Sequence, residues 1–133
     1  MKVGLFVTCL IDAMRPEIGF SAIKLLEAAG CEVAVPDAQT CCGQPAYNSG
    51  DAVNARELAA KALKEFESFD YVVVPSGSCA GQIKIHFARL FDDAQLRARA
   101  ERLAAKTYEL TDFLANVAPR RGLRAVSLGR ITY

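Results

Sequence analysis

The apolar residues of this chain form short continuous runs that alternate with longer segments of helical periodicity. The short runs are typical of strands in a parallel sheet that is covered on both faces. They lie at 2–8, 31–35 and 71–74. In the longer segments, apolar side chains recur three and four residues apart, which predicts amphipathic helices. These helices are predicted at 16–29, 51–66, 79–91, 94–106 and 111–117.

Turn and capping residues support this division of the chain. Pro16 suits the first turn of a helix, and Gly30 suits the position just after its end. Pro75 follows the third apolar run, where a strand must stop. Ser78 is the predicted N-cap of the next helix. Residues 36–50 contain few apolar residues and are predicted to be a polar loop.

The order of these elements predicts the fold class. Strands that alternate with helices indicate an α/β domain with right-handed crossovers. We therefore predict a three-layer α/β/α domain over residues 1–123, with a mainly parallel sheet of about four strands. Residues 124–133 are strand-like to the last residue. We interpret this stretch as the start of a strand that leads into a second unit, which is absent from the sequence.

Composition excludes several classes of partner. The net charge is +1, from 16 basic and 15 acidic residues, so no strong field attracts nucleic acid or an anionic membrane. The sequence contains no apolar run long enough for direct membrane insertion and no recognisable signal peptide. We expect a cytoplasmic protein, where a reducing environment favours metal binding or redox chemistry by clustered cysteines over disulfides.

Four of the five cysteines follow the ends of predicted strands. Their pattern is Cys, 31 residues, Cys-Cys-Gly, 35 residues, Cys. Sites in open α/β sheets form outside the carboxyl ends of the strands, so three successive strand-to-helix connections should bring these thiols to one edge. We call this set the cysteine site; its members are Cys9, Cys41, Cys42 and Cys79.

Cys31 is predicted to lie apart from the cysteine site because it begins the second strand. Five residues at about 3.3 Å each place it roughly 17 Å from the opposite edge. A metal–sulfur bond of about 2.3 Å cannot span that distance. We assign Cys31 to packing, which is the usual role of a buried cysteine.

Four neighbouring thiolates repel one another unless a cation or a cluster compensates their charge, and three interpretations stay open. An iron–sulfur cluster is commonly held by four cysteines. Zinc also accepts four thiolates in a structural site that would serve assembly. Without metal, the adjacent pair could act as a thiol–disulfide oxidoreductase. Two local features favour metal-binding thiolates: Cys79 starts a predicted helix, and Gly43 can adopt a positive φ beside the adjacent pair.

The motifs at 7–10, 39–45 and 75–79 resemble those of a known family. The pattern is similar to the cysteine-rich CCG domain found in heterodisulfide reductases, and in particular to the lactate utilization protein A subfamily. The resemblance implies an iron–sulfur cluster of the 4Fe–4S type, bound by the cysteine site. It also implies electron transfer in a complex that oxidises a small 2-hydroxy acid such as L-lactate. The implied partners are a ferredoxin-like iron–sulfur subunit and a third subunit.

One position departs from the family pattern. The general CCG motif ends in Cys-x-x-Cys, whereas this chain has Gln82 at the last position. The missing thiol is compatible with a site of four ligands, with a ligand from the second unit, or with a cluster that is absent or replaced by zinc in this fragment. Family members usually carry two CCG units, and the sequence contains the first. No separate catalytic acid–base pair is expected in it.

Overall fold

The computed structural model describes residues 1–119 and residue 129. Within these residues, four strands form one parallel sheet in the order β2-β1-β3-β4. The strands are β1 Lys2–Leu5, β2 Glu32–Ala34, β3 Tyr71–Val74 and β4 Thr107–Glu109. The predicted α/β class and the parallel sheet are therefore confirmed. The strand predicted near Arg124 and the boundary at 123/124 lie outside the described residues.

Helical segments follow each strand. The α-helices are α1 Cys9–Met14, α2 Pro16–Ala28, α3 Gln44–Asn48, α4 Ala52–Phe66, α5 Gly77–Gly81, α6 Ala94–Ala105 and α7 Leu110–Asn116. Between α5 and α6, a π-helical turn at Gln82–His86 leads into a 3₁₀ turn at Phe87–Leu90. None of the helices in the described part of the chain is both long enough and apolar enough to pass through a bilayer.

The sheet is covered on both faces, as the continuous apolar runs predicted. In β3, Val72 and Val74 pack in an apolar cluster with residues of α4, α5 and α6. Val73, which lies between them in sequence, packs in a second cluster with residues of α2 and α7. Alternate residues of a strand point to opposite faces, so these two clusters are the two interfaces of a three-layer domain.

Some predicted boundaries were wrong. The fourth strand, Thr107–Glu109, directly follows α6 at a place where no strand was predicted. The helix predicted at 79–91 is divided among α5, the π-helical turn and the 3₁₀ turn. Its N-cap is Ser76 rather than Ser78, because the helix begins two residues earlier, at Gly77. The predicted polar loop contains α3, a helix of 5 residues that begins directly after the Cys-Cys-Gly motif.

Candidate functional site

Cys9 is the first residue of α1, directly after the connection that leaves β1. Thr8 is buried and caps this helix, since its hydroxyl accepts a hydrogen bond from the Ile11 backbone N–H at 3.4 Å. The Cys9 side chain is exposed, and its sulfur accepts a hydrogen bond from the Leu10 backbone. The cap therefore fixes the position of the Cys9 thiol relative to the end of β1.

Gln39 joins the Cys-Cys-Gly loop to the end of β1. Its Oε1 accepts a hydrogen bond from the Val7 backbone N–H at 2.7 Å, and its Nε2 donates to the Leu5 carbonyl at 3.4 Å. The side chain thus pairs with both backbone groups of an extended segment, as a neighbouring strand would. This clamp holds the loop that carries Cys41 against the connection that carries Cys9. In the sequence, the only sign of this role of Gln39 is its place in the motif at 39–45.

Gly43 turns the chain after the two adjacent cysteines. Its φ is +80°, the positive value predicted from the sequence, and it forms the N-cap of α3. The Gly43 backbone N–H lies 3.4 Å from the Cys41 sulfur and donates to it. The next residue, Gln44, donates its backbone N–H to the Cys42 sulfur. The turn thereby supplies a separate backbone donor to each sulfur of the pair.

Cys79 lies in α5, just beyond the end of β3. Its side chain is buried, and its sulfur accepts hydrogen bonds from Cys42, Ser76 and Ser78. The hydrogen bond from Cys42 is the largest of the causes that lower the pKa of Cys79 to about 6. Burial alone would raise this pKa, so the donors around the sulfur outweigh desolvation. Cys79 is thus placed where a thiolate is favoured.

The four members of the cysteine site form two contacting pairs around one cavity. The sulfurs of Cys9 and Cys41 lie 3.8 Å apart, and the thiol of Cys42 donates to Cys79. All four residues line a cavity of about 450 Å³ at the carboxyl edge of the sheet. The structure therefore brings together the thiols that topology predicted to converge. No three Cys, His, Asp or Glu side chains of the described residues surround a single point suited to one metal ion.

The two donor thiols have raised pKa values. The pKa of Cys42 is raised by its hydrogen bond to Cys79 and by its burial. The pKa of Cys9 is raised first by burial and then by its hydrogen bond to Cys41. In each pair, one thiol thus donates a hydrogen bond to the sulfur of the other. A bound cation would favour loss of both protons, because thiolates are the metal-binding form of cysteine.

Cys31 lies away from the cysteine site, as predicted. It precedes β2 at the opposite edge of the sheet, is buried, and places its sulfur 3.9 Å from the Met1 sulfur. Burial raises its pKa, which keeps the thiol protonated. Packing is the role that these contacts support.

Two polar side chains in the π-helical turn carry atoms without a partner among the described residues. Gln82 is 2% exposed, and its Nε2 makes no hydrogen bond. The Nδ1 of His86 is buried and also makes none, although the ring stacks on Tyr47 with centroids 4.4 Å apart. This stack connects the turn after Cys79 to α3, the helix that follows the Cys-Cys-Gly motif.

Gln39→Leu should destabilise the loop. The substitution leaves the partly buried Val7 N–H without its acceptor, which we expect to lower the free energy of unfolding by about 1–2 kcal/mol. Urea denaturation of the metal-free protein measures the change. Gln95→Leu, at an exposed position of α6, is the matched control and should leave stability within about 0.5 kcal/mol. Equal stability of the two variants would contradict the clamp.

Comparison with known proteins gives one consistent result. The CCG model, described as a cysteine-rich domain, matches residues 3–84. Lactate utilization protein A of Geobacillus kaustophilus is 51% identical over 133 residues, covering 100% of this chain and 56% of that relative. The proteins of that name from Geobacillus thermodenitrificans and Bacillus licheniformis are 50% and 47% identical, with the same coverage. The chain thus spans little more than half the length of these relatives. No solved structure gives a significant match.

Proposed function

We propose that this chain, which belongs to the CCG cysteine-rich domain family, binds an iron–sulfur cluster at the cysteine site and relays electrons during lactate oxidation. The observation that supports this most directly is the convergence of four thiols from three strand ends on one cavity. Each of the four sulfurs also has a neighbouring hydrogen-bond donor, as an anionic ligand requires.

The chemistry of the donor set fits an iron–sulfur cluster. All four proposed ligands are free cysteines, and thiolates are the usual ligands of such clusters. Zinc sites built from cysteines usually draw their ligands from paired Cys-x-x-Cys motifs, which this sequence lacks, so the donor set favours a cluster over zinc. The backbone and hydroxyl donors would orient the thiolates and stabilise their charge. When bound, the cluster would supply one-electron transfer.

The substrate class is proposed from the relatives, which are named lactate utilization protein A. We propose a role in a complex that oxidises L-lactate or a similar 2-hydroxy acid. A ferredoxin-like iron–sulfur subunit and a third subunit would be its partners. Removal of hydride or protons from the substrate would then belong to a partner or to its cofactor. We place the complex in the cytoplasm, where reducing conditions keep the thiols free.

Anaerobic reconstitution tests the cluster directly. The chain is incubated without oxygen with ferrous iron and zinc, then with sulfide, desalted, and analysed for iron, sulfide and zinc. We expect iron and sulfide in equal amounts, with visible absorption that bleaches on reduction. Stoichiometric zinc without sulfide, after both metals have been offered, would contradict the proposal and favour a structural zinc module.

A second candidate function is thiol–disulfide exchange, which the 3.8 Å contact between the Cys9 and Cys41 sulfurs favours. In that reaction the two thiols would be oxidised to a disulfide while a partner disulfide is reduced to two thiols. Metal-free protein mixed with glutathione disulfide distinguishes the two functions. Rapid exchange that Cys9→Ser abolishes, together with failure to retain iron and sulfide, would favour the oxidoreductase.

A further inference from the structure

Gln82 presents a buried amide that its own fold does not use. The side chain is 2% exposed, yet Nε2 has no hydrogen-bond partner among the described residues. Buried amides are almost always satisfied in native proteins, so an unpaired donor calls for a specific explanation. If Gln82 served only to fill space, an apolar side chain of the same size could replace it without loss of stability.

The position of Gln82 relative to Cys79 indicates which group could accept a hydrogen bond from the amide. The two residues are three apart, from α5 into the π-helical turn, and residues at this spacing are neighbours on one side of a helix. Cys79 lines the cavity at the cysteine site, and Gln82 is buried three residues further along the chain. The turn that begins at Gln82 is also π-helical, a conformation found frequently at functional sites.

We propose that Gln82 is a positioning residue whose Nε2 donates a hydrogen bond to a sulfur atom of the cluster held at Cys79. This inference rests on the proposed function, since the acceptor exists only when the cluster is bound. The amide takes the place where the general family pattern has a fifth thiol, so a neutral donor replaces a thiol there. A donor to sulfur stabilises the more negative, reduced state of the cluster and therefore raises its reduction potential.

The test compares Gln82→Met with Gln95→Met, a matched change at an exposed position of α6. Methionine is close to glutamine in size and has no N–H donor. Both variants and the parent chain are reconstituted anaerobically with iron and sulfide. Three quantities are measured: unfolding of the metal-free protein, retention of iron against a chelator, and the potential by spectroelectrochemical titration.

We expect Gln82→Met to leave the stability of the metal-free protein unchanged or increased, because no bond in that state is lost. We expect its cluster to be lost to the chelator about tenfold more readily, and its potential to be lower than in the parent chain. Gln95→Met should match the parent in all three measurements.

Two results would overturn the inference. Equal retention and equal potential in Gln82→Met and the parent would show that the amide does not meet the cluster. A large loss of stability in metal-free Gln82→Met would show that the amide already has a structural partner. Either result can be distinguished from failure of the proposed function, because in that case the parent chain itself would take up no iron and sulfide.

Discussion

Cys42→Ser should abolish retention of iron and sulfide. Cys42 is 3% exposed and donates its thiol to Cys79, while Cys41, the residue before it, contacts Cys9. It therefore links the buried pair to the outer pair, and a serine hydroxyl cannot supply the thiolate that an iron–sulfur cluster needs. Loss of a group that merely orients a ligand weakens metal binding by about 10- to 100-fold, so loss of the ligand itself should exceed that.

Cys31→Ala is the matched control for this experiment. It also removes a buried thiol, but from the opposite edge of the sheet. We expect it to keep the iron and sulfide content of the parent chain. Far-ultraviolet circular dichroism of both variants checks that the fold is intact. If Cys42→Ser retained as much iron and sulfide as the parent chain, Cys42 would not be a ligand. The proposed cluster would then lack its central thiol.

The convergence of the thiols could be predicted from sequence because it depends on topology alone. Once the apolar runs at 2–8, 31–35 and 71–74 are assigned to parallel strands, the residues that follow them must share one edge. The observed order β2-β1-β3-β4 puts β1 between its two neighbours. Cys9 thus leaves the sheet between the other two connections, and no detailed knowledge of the side chains is required.

The pairing of the thiols could not be predicted in this way. Whether Cys41 or Cys42 turns toward Cys9 depends on dihedral angles at the Cys-Cys-Gly turn and on the clamp made by Gln39. Neither the dihedral angles nor the hydrogen bonds of the clamp can be read from the spacing of the cysteines. That the Gln82 amide has no acceptor among the described residues is equally invisible in the sequence, because only a structure shows the surroundings of a buried donor.

The missed elements are short and lack periodicity. The fourth strand has only the 3 residues Thr-Tyr-Glu, and it follows α6 with no glycine or proline between them. Its strand conformation comes from pairing with β3, where Val73 is opposite Tyr108. A segment of this length gains its structure from tertiary pairing rather than from its own propensity. α3 has 5 residues and is equally short for a periodic signal.

Gly43→Ala should both destabilise the protein and impair cluster binding. Gly43 has a φ of +80°, a conformation that costs a residue with a Cβ roughly 1–2 kcal/mol. An added methyl group would also lie 3.4 Å from the Leu58 Cβ and 3.6 Å from the Ala55 Cα, so α4 blocks movement in that direction. The strain can then relax only through the loop that carries Cys41 and Cys42. We expect unfolding at lower urea concentration and reduced uptake of iron and sulfide.

Gly50→Ala separates these two effects. Gly50 has the same φ of +80°, but no atom lies within 4 Å of an added Cβ, and the residue follows α3 rather than the cysteines. Both variants should therefore lose about 1–2 kcal/mol of stability in urea denaturation of the metal-free protein. Only Gly43→Ala should fall below the parent in anaerobic uptake of iron and sulfide. Equal uptake by the two variants would mean that the left-handed turn at Gly43 does not hold the adjacent sulfurs in their binding arrangement.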